Sequence, residues 1–340
     1  MKQLLATTFL LLVLHAAAAE PVAGIRSVAI TVEHHGSMMS GVLWYPAGGG
    51  GEAITYGENG VFFGTPVLDN ARMAEGPFPV ILASHGLGGN VGTLSWLTAG
   101  LAEAGALVIS VNHPNSTTRD FNLHEGLKHW TRTQDLRAAL DWIAAQPELA
   151  AQADFSRVYA VGFSAGGWTA LALGGLRADL QGYAAHCETA SPSLWHCADL
   201  TWRGADLAAY SPGEWNASRK DDRIRAVAAI DPALTYGLGR THARDLVKKV
   251  LLIGLGGVES RLPATDFSAT GSGFAGQLPA AEIEIMAPAA HFSALLPCKP
   301  RGPAILAAEG DYPLCDDPPG TDRAALHKRI VSRVAVFLGL

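Results

Sequence analysis

The sequence predicts one large α/β domain, in which a mostly parallel β-sheet is covered by helices on both faces. Apolar runs with the character of strands alternate along the chain with segments of helical periodicity, as in repeated strand–helix–strand units. Several of the runs are almost continuously apolar, as expected for strands that are buried on both faces. Hydrophobic residues make up 49% and charged residues 16% of the 340 residues, and this composition excludes a disordered chain.

The expected strands are short and spread along most of the chain. They cover residues 27–32, 41–45, 79–84, Leu107–Val111, 158–162, Ile224–Ile230, 250–253 and Glu282–Met286. Apolar residues at helical spacing predict a helix over 131–146, which Pro147 ends. The same spacing between Leu326 and Phe337 predicts a helix at the C-terminus.

Residues 1–19 have the anatomy of a secretory signal peptide. Lys2 provides a charged flank, an 11-residue apolar stretch covers 4–14, and the alanines at 16–19 offer small residues for cleavage before Glu20. Eleven residues are too few to cross a hydrocarbon layer about 30 Å thick. We therefore expect a secreted or periplasmic protein with one domain over 20–340 and no transmembrane segment after processing.

The four cysteines agree with an oxidising compartment. They allow three pairings, and the sequence alone does not decide between them. We expect the two local bridges, Cys187 with Cys197 and Cys298 with Cys315, because each would fix a segment that lacks a regular pattern. A zinc site needs thiolates or imidazoles at a tighter spacing than these cysteines show, so no metal is expected.

The charge pattern argues against a nucleic-acid partner. Lys and Arg number 25 against 31 Asp and Glu, which gives a net charge of −6, and no basic run is present. A nucleic-acid-binding protein needs a basic surface for its phosphate contacts. We therefore expect no such partner.

Two long segments interrupt the alternation of strands and helices. Residues 47–77 are rich in glycine and contain Tyr56, Phe62 and Phe63. Residues 177–222 contain two cysteines and the aromatic residues Tyr183, Trp195, Trp202, Tyr210 and Trp215. Long insertions without regular structure are usually lids or binding loops. We expect residues 177–222 to form a lid or pocket wall. For residues 47–77, a lid or pocket wall and packing on the surface both stay open.

A serine flanked by glycines stands between a predicted strand and a predicted helix, in the motif Gly162-Phe163-Ser164-Ala165-Gly166. In this setting the pattern Gly-x-Ser-x-Gly is typical of a nucleophilic serine. The turn is so tight that the positions of Gly162 and Gly166 require residues with almost no side chain. The Ser164 hydroxyl would then stand above the sheet, at the positive end of the following helix. We predict that Ser164 is a nucleophile.

A nucleophilic serine needs a base that removes its proton and an acid that orients the base. The histidines that follow in usable positions are His186, His196, His242 and His291. The first two lie beside cysteines and the third lies in a polar turn. His291 follows the last predicted strand after a short loop, and a loop at the carboxyl end of a late strand can reach over the nucleophile. His291 is therefore the predicted base.

The predicted acid is Asp231, directly after the strand Ile224–Ile230. A carboxylate at the carboxyl end of a strand can turn toward the imidazole. Many proteins of this architecture place the acid after the next strand instead, where Glu259 and Asp266 are available. These two residues stay open as alternatives, as does a structural Asp231 that caps the turn begun by Asp-Pro.

The reaction of a serine with a carbonyl carbon creates a negatively charged oxygen, which needs backbone N–H donors held in place beforehand. The strand 79–84 runs into the glycine-rich loop His85-Gly86-Leu87-Gly88-Gly89. We expect the backbone N–H groups of Leu87 and Ala165 to form this oxyanion hole and His85 to support the loop, with a direct catalytic role for His85 as the alternative. No Lys-Ser/Thr follows, so the loop is not a phosphate-binding P-loop.

The chain carries the motifs Ser84-His85-Gly86-Leu87-Gly88-Gly89, Val111-Asn112-His113-Pro114, Gly162-Phe163-Ser164-Ala165-Gly166-Gly167 and Ala290-His291-Phe292. With these motifs it resembles the α/β-hydrolases over about residues 25–338, and more narrowly the dienelactone-hydrolase-like and platelet-activating-factor-acetylhydrolase-like esterases. The resemblance implies that residues 85–88 form the oxyanion loop and that Asp231 is the acid. The true dienelactone hydrolases use a cysteine nucleophile where this chain has Ser164, so their lactone specificity does not carry over.

The resemblance implies a secreted serine hydrolase that cleaves carboxylic esters through a Ser-His-Asp triad and an acyl-enzyme. The substrate would be a small-molecule or lipid-like ester, and no metal or organic cofactor is implied. Two alternatives remain open. One is another acyl-transfer enzyme with the same triad (a peptidase, thioesterase or acyltransferase), because the pocket sets the bond that is cleaved. The other is a non-catalytic binding module of the same fold.

Overall fold

Ten strands form one sheet in the computed structural model, which describes residues 22–189, 197, 200 and 205–340. The strands are β1 (Ala23–Val32), β2 (Ser37–Pro46), β3 (Glu52–Tyr56), β4 (Thr65–Asp69), β5 (Phe78–Ser84), β6 (Leu107–Val111), β7 (Ala153–Phe163), β8 (Ile224–Ile230), β9 (Lys249–Leu255) and β10 (Glu282–Met286). Their order across the sheet is β10-β9-β8-β7-β5-β6-β2-β1-β4-β3. Strands β5 to β10 are parallel to their neighbours within this group, and β2 pairs antiparallel with both β1 and β6. The mostly parallel sheet is confirmed.

Helices cover both faces of the sheet. On one face lie α1 (Ser95–Glu103) and the C-terminal helix, Arg323–Leu338, and on the other lie α3 (His129–Ala145) and α5 (Ala165–Leu173). The remaining helices of the described residues are α2 (Leu123–Gly126), α4 (Pro147–Ala150), α6 (Leu180–Thr189), α7 (Pro212–Trp215) and α8 (Gly302–Glu309), and the C-terminal helix is therefore α9. The helix predicted over 131–146 is α3, and Pro147 opens the short helix α4.

Successive residues of the central strands point alternately into two apolar cores. In β5, Val80 and Leu82 pack on the side of α3, whereas Ile81 and Ala83 pack on the side of α1. Both sides are buried, so the strand is a continuous apolar run in the sequence. The carboxyl ends of the parallel strands meet at one edge of the sheet, and the loops that follow β5, β7, β8 and β10 all start there.

The expectation that residues 47–77 lack regular structure is wrong. They contain β3 and β4, which pair antiparallel and extend the sheet at its edge. Strand β3 has no buried residue, so it lacks the apolar pattern by which buried strands are recognised. The segment is therefore partly an edge hairpin of the sheet.

The segment 177–222 is also more regular than expected, because it contains α6 and α7. Trp195, Trp202 and the histidine candidate His196 lie outside the described residues. Trp215 and Tyr210 are buried and pack against Trp130 of α3. These two aromatic side chains belong to the core. The role of the segment as a lid stays a prediction.

Two disulfide bonds join Cys187 to Cys197 and Cys298 to Cys315, which confirms the local pairing. The signal peptide predicted over residues 1–19 lies outside the described residues. Within the part of the chain that is described, no helix combines the length and the apolar character needed to cross a bilayer.

Three buried histidines make the stability of the fold depend on pH. Burial lowers the pKa of His113 to about 4, that of His129 to about 3 and that of His327 to about 4. Between these values and the ordinary histidine pKa of 6.5, the unfolded chain binds protons that the folded chain does not. The free energy of unfolding is therefore expected to be largest above about pH 6.5 and to fall as the pH decreases toward 4.

The variant His129→Phe tests this dependence. His129 lies against the rings of Trp130, Trp168 and Trp215, where a phenyl ring suits the surroundings. Denaturant unfolding at several pH values between about 4 and 6 gives the free energy of unfolding as a function of pH. For the variant, the slope of this free energy against pH is expected to be lower than for the native protein by about 1.4 kcal/mol per pH unit, the contribution of one proton. Equal slopes for the two proteins would contradict the assignment.

Candidate active site

Ser164 occupies a strained turn between β7 and α5. Its backbone angles are φ 57° and ψ −121°, outside the regions that L-residues ordinarily adopt. A Cβ atom at Gly162 would overlap the carbonyl oxygen of Gly166, and one at Gly166 would overlap the carbonyl oxygen of Ser84. The backbone N–H of Ser164 donates to the carbonyl oxygen of Ile230, 2.9 Å away. The flanking glycines therefore serve the purpose predicted from the motif.

His291 lies against Ser164 at the start of a short 3-10 turn, His291–Ala294, after β10. Its Nε2 is 3.1 Å from Oγ of Ser164, and its ring packs 4.6 Å from the ring of Phe163, centroid to centroid. The hydroxyl of Ser293 accepts from the backbone N–H of Ala290 (2.9 Å) and donates to Asp317 (2.5 Å). These bonds hold the turn, and with it the imidazole, over the serine.

Asp231 orients the imidazole from the end of β8. Its Oδ2 is 2.6 Å from Nδ1 of His291, and the side chain is fully buried. Oδ2 also accepts from the hydroxyl of Thr265 at 2.8 Å, and Oδ1 accepts from the backbone N–H of Leu255 at 2.9 Å. With Nδ1–H donated to the carboxylate, Nε2 is free to accept the proton of Ser164.

The other predicted acids and bases that the structure describes do not reach this site. Glu259 is exposed, and Asp266 pairs with Arg261 at 3.1 Å. His242 lies 3.7 Å from a different carboxylate, that of Asp179. His186 stacks on Tyr236. Of the alternatives left open by the sequence within the described residues, the structure brings only Asp231 to His291.

The loop 85–89 lies beside Ser164, as predicted for an oxyanion hole. The position of a Cβ atom on Gly86 is 3.3 Å from Cβ of Ser164, so a side chain at this position would crowd the serine. Within the described residues, no hydrogen-bond acceptor is found for the backbone N–H of Leu87 or of Ala165. Both N–H groups are therefore available to a ligand. Ala165 is the first residue of α5, so its N–H lies at the positive end of the helix dipole.

The arrangement of strands and helices agrees with that of solved structures. A ferulic acid esterase from Streptomyces cinnamoneus superposes with a TM-score of 0.58 and 18% identity, over 96% of this chain and 91% of that chain. The chain has the α/β-hydrolase fold. The esterase Est22 superposes with a TM-score of 0.50 and 13% identity, over 93% of this chain and 81% of that chain. No protein-family model and no curated sequence matches, and the narrower resemblance to dienelactone-hydrolase-like esterases stays a prediction.

A buried arginine of α3 holds the loop 85–89, which lies beside Ser164. Arg132 of α3 donates to the carbonyl oxygen of His85 and to the hydroxyls of Ser84 and Ser116. His85 donates from Nδ1 to the carbonyl oxygen of Gly86 at 2.7 Å, and its own Nε2 accepts a backbone N–H. Burial lowers the pKa of His85 well below its ordinary value, so the ring is neutral. These contacts agree with a supporting role for His85, which stays a prediction.

Asp135 continues the same polar network one turn further along α3. Its Oδ2 is 2.8 Å from Nδ1 of His113, and Nε2 of His113 is 2.9 Å from the hydroxyl of Ser84. The sequence analysis did not identify Arg132, Asp135 or Thr265. Charged residues on an amphipathic helix and a threonine in a loop carry no sequence signal that distinguishes them from solvent-facing residues.

Proposed function

We propose that this protein is a serine hydrolase that cleaves carboxylic esters. The observation that carries the proposal is the continuous hydrogen-bonded chain from Oγ of Ser164 through His291 to Asp231, beside the two available N–H groups of Leu87 and Ala165. Acyl transfer requires a nucleophile, a base, an acid that orients the base, and oxyanion donors, all at one point. Both solved structures described above are named esterases, which favours an ester as the substrate.

The first half of the reaction forms an acyl-enzyme. His291 takes the proton of Ser164 while the serine oxygen attacks the ester carbonyl carbon, and the carbonyl oxygen becomes an oxyanion. The N–H groups of Leu87 and Ala165 donate to this oxyanion. Asp231 stabilises the imidazolium and keeps its orientation. His291 then donates its proton to the departing alkoxide, so that an alcohol leaves and the acyl group stays on Ser164.

The second half returns the free enzyme. A water molecule takes the place of the alcohol, His291 removes one of its protons, and the hydroxide attacks the acyl carbon. The second tetrahedral intermediate collapses, the acid leaves, and the proton on His291 returns to Ser164. Side chains and backbone N–H groups of this protein, together with one water molecule, account for every step.

We propose a small-molecule ester with an apolar portion as the substrate. Phe121 is 40% exposed, and its ring lies 3.7 Å from the position of a Cβ atom on Gly88, in the oxyanion loop. An exposed aromatic ring at this place offers a contact for an apolar acyl or alcohol group. The two disulfides and the predicted signal peptide favour a secreted or periplasmic location.

A fluorophosphonate probe and a panel of substrates test the proposal together. The probe is expected to label one serine, Ser164, identified by mass spectrometry of the labelled peptide. p-Nitrophenyl esters of graded chain length are expected to be hydrolysed faster than the matching anilide and at least as fast as the matching thioester. Faster cleavage of the anilide would indicate a peptidase. Absence of labelling at Ser164 would remove the nucleophile from the mechanism.

A further inference from the structure

Two consecutive histidines, in the turn between β1 and β2, converge on the carboxylate of Asp135 in α3. Nε2 of His34 and Nε2 of His35 lie 2.7 Å and 2.9 Å from the same oxygen, Oδ1. The three candidate ligand atoms all lie within 4.8 Å of one another. The cluster joins residues about a hundred positions apart, and none of its three residues has a role in the proposed reaction.

The charge of Asp135 is buried with few partners. The residue is 0% exposed, and its second oxygen, Oδ2, faces Nδ1 of His113. Three imidazoles, those of His34, His35 and His113, lie within hydrogen-bond distance of this buried carboxylate.

Among the described residues, no lysine or arginine forms an ion pair with Asp135. The nearby Arg132 donates to hydroxyls and to a carbonyl oxygen instead. A buried carboxylate in proteins is usually paired with a cation or bound to a metal. Oδ1, which faces two imidazoles and no other partner in the described part of the chain, is the place for such a cation.

We propose that His34, His35 and Asp135 bind a divalent transition-metal ion, with Zn²⁺ as the best match. Two imidazole nitrogens and one carboxylate oxygen are ligands that Zn²⁺ prefers, and the fourth position would face solvent. The side chains of His34 and His35 are 23% and 11% exposed, which leaves a path for the ion to enter.

The geometry needs only a small adjustment to accept the ion. Tetrahedral bonds of about 2.0–2.2 Å place ligand atoms about 3.3 Å apart, and the present distances of 2.7 Å and 2.9 Å reach this value by slight rotation of the two rings. Each imidazole would carry its proton on Nδ1 when Nε2 binds the ion. His113 hydrogen-bonds to the other carboxylate oxygen of Asp135, and metal ligands commonly have such a hydrogen-bond partner.

The bound ion would cross-link the turn between β1 and β2 to α3. Because the ligands belong to distant parts of the chain, binding stabilises the folded state over the unfolded state. The ion does not contact Ser164 or His291, so the test needs no measurement of activity.

Zinc titration of the tag-free, chelator-stripped protein tests the proposal. A competing chromophoric chelator is expected to report one Zn²⁺ per chain, and Zn²⁺ is expected to raise Tm. The double variant His34→Ala/His35→Ala is expected to lose both effects. His242→Ala, which removes an imidazole from a different His–Asp pair, is the matched control and is expected to keep them.

Cobalt provides a second readout, because Co²⁺ bound by nitrogen and oxygen ligands absorbs visible light according to its geometry. The native protein and His242→Ala are expected to give the same tetrahedral spectrum, and the double variant none. Circular dichroism of the metal-free double variant establishes that it is folded. Failure of the native protein to bind Zn²⁺ in a one-to-one ratio, or unchanged binding by the double variant, would overturn the proposal.

Discussion

The variant Ser164→Ala is expected to hydrolyse a p-nitrophenyl ester with a kcat lower by about 10⁴- to 10⁶-fold. Without the hydroxyl, no acyl-enzyme forms, and only the oxyanion donors and substrate binding continue to assist attack by water. The variant should be as stable as the native protein or more stable, because among the described residues the hydroxyl has one hydrogen-bond partner, His291. Initial rates under saturating substrate and denaturant unfolding measure the two quantities.

A control for this variant is Ser211→Ala. Ser211 is exposed and its side chain does not cap the helix that follows it. The control is expected to keep the native rate and the fluorophosphonate label, whereas Ser164→Ala loses both. If Ser164→Ala keeps more than about 1% of the native kcat, Ser164 is not the nucleophile.

The variant Asp231→Asn is expected to lower kcat by about 10³- to 10⁴-fold with little change in KM. The backbone N–H of Leu255 needs an acceptor at the position of Oδ1, so the amide oxygen of the asparagine takes that position. The amide NH₂ then faces Nδ1 of His291, which must become an acceptor. The proton of the ring moves to Nε2, and the ring can no longer take the proton of Ser164.

Two further variants separate this tautomer effect from a loss of structure. Asp266→Asn, at the alternative acid, is expected to stay near the native rate because Asp266 bonds Arg261 and Ser268 rather than the imidazole. Thr265→Val removes one hydrogen bond to the carboxylate and is expected to lower kcat only about tenfold. A large loss in Asp266→Asn together with a mild loss in Asp231→Asn would reverse the assignment of the acid.

The strands with a clear apolar pattern could be predicted from the sequence. The bounds of Leu107–Val111, Ile224–Ile230 and Glu282–Met286 agree with the structure because turn or loop residues end each of them sharply. The positions of Ser164, Asp231 and His291 followed from the same reasoning, since strand ends in a parallel sheet meet at one edge. Their separation along the chain did not matter, because the topology brings them together.

The parts that depend on a particular tertiary contact could not be predicted. Strand β3 is solvent-facing and has no apolar alternation, so its glycine-rich surroundings suggested a loop. Arg132 and Asp135 have the sequence character of solvent-facing helix residues, yet they are 2% and 0% exposed. Their partners lie in β5 and in the turn after β1, and nothing local to α3 indicates those contacts. Thr265 bonds Asp231 from 34 positions away for the same reason.

The three residues of the proposed triad follow three different strands, with 127 positions between Ser164 and His291. A fragment of the chain that ends before β10 therefore carries the nucleophile without its base. The rate of ester hydrolysis would then report how much of the protein is intact and correctly folded. During refolding or limited proteolysis, recovery or loss of hydrolysis would follow the docking of the last parallel strand.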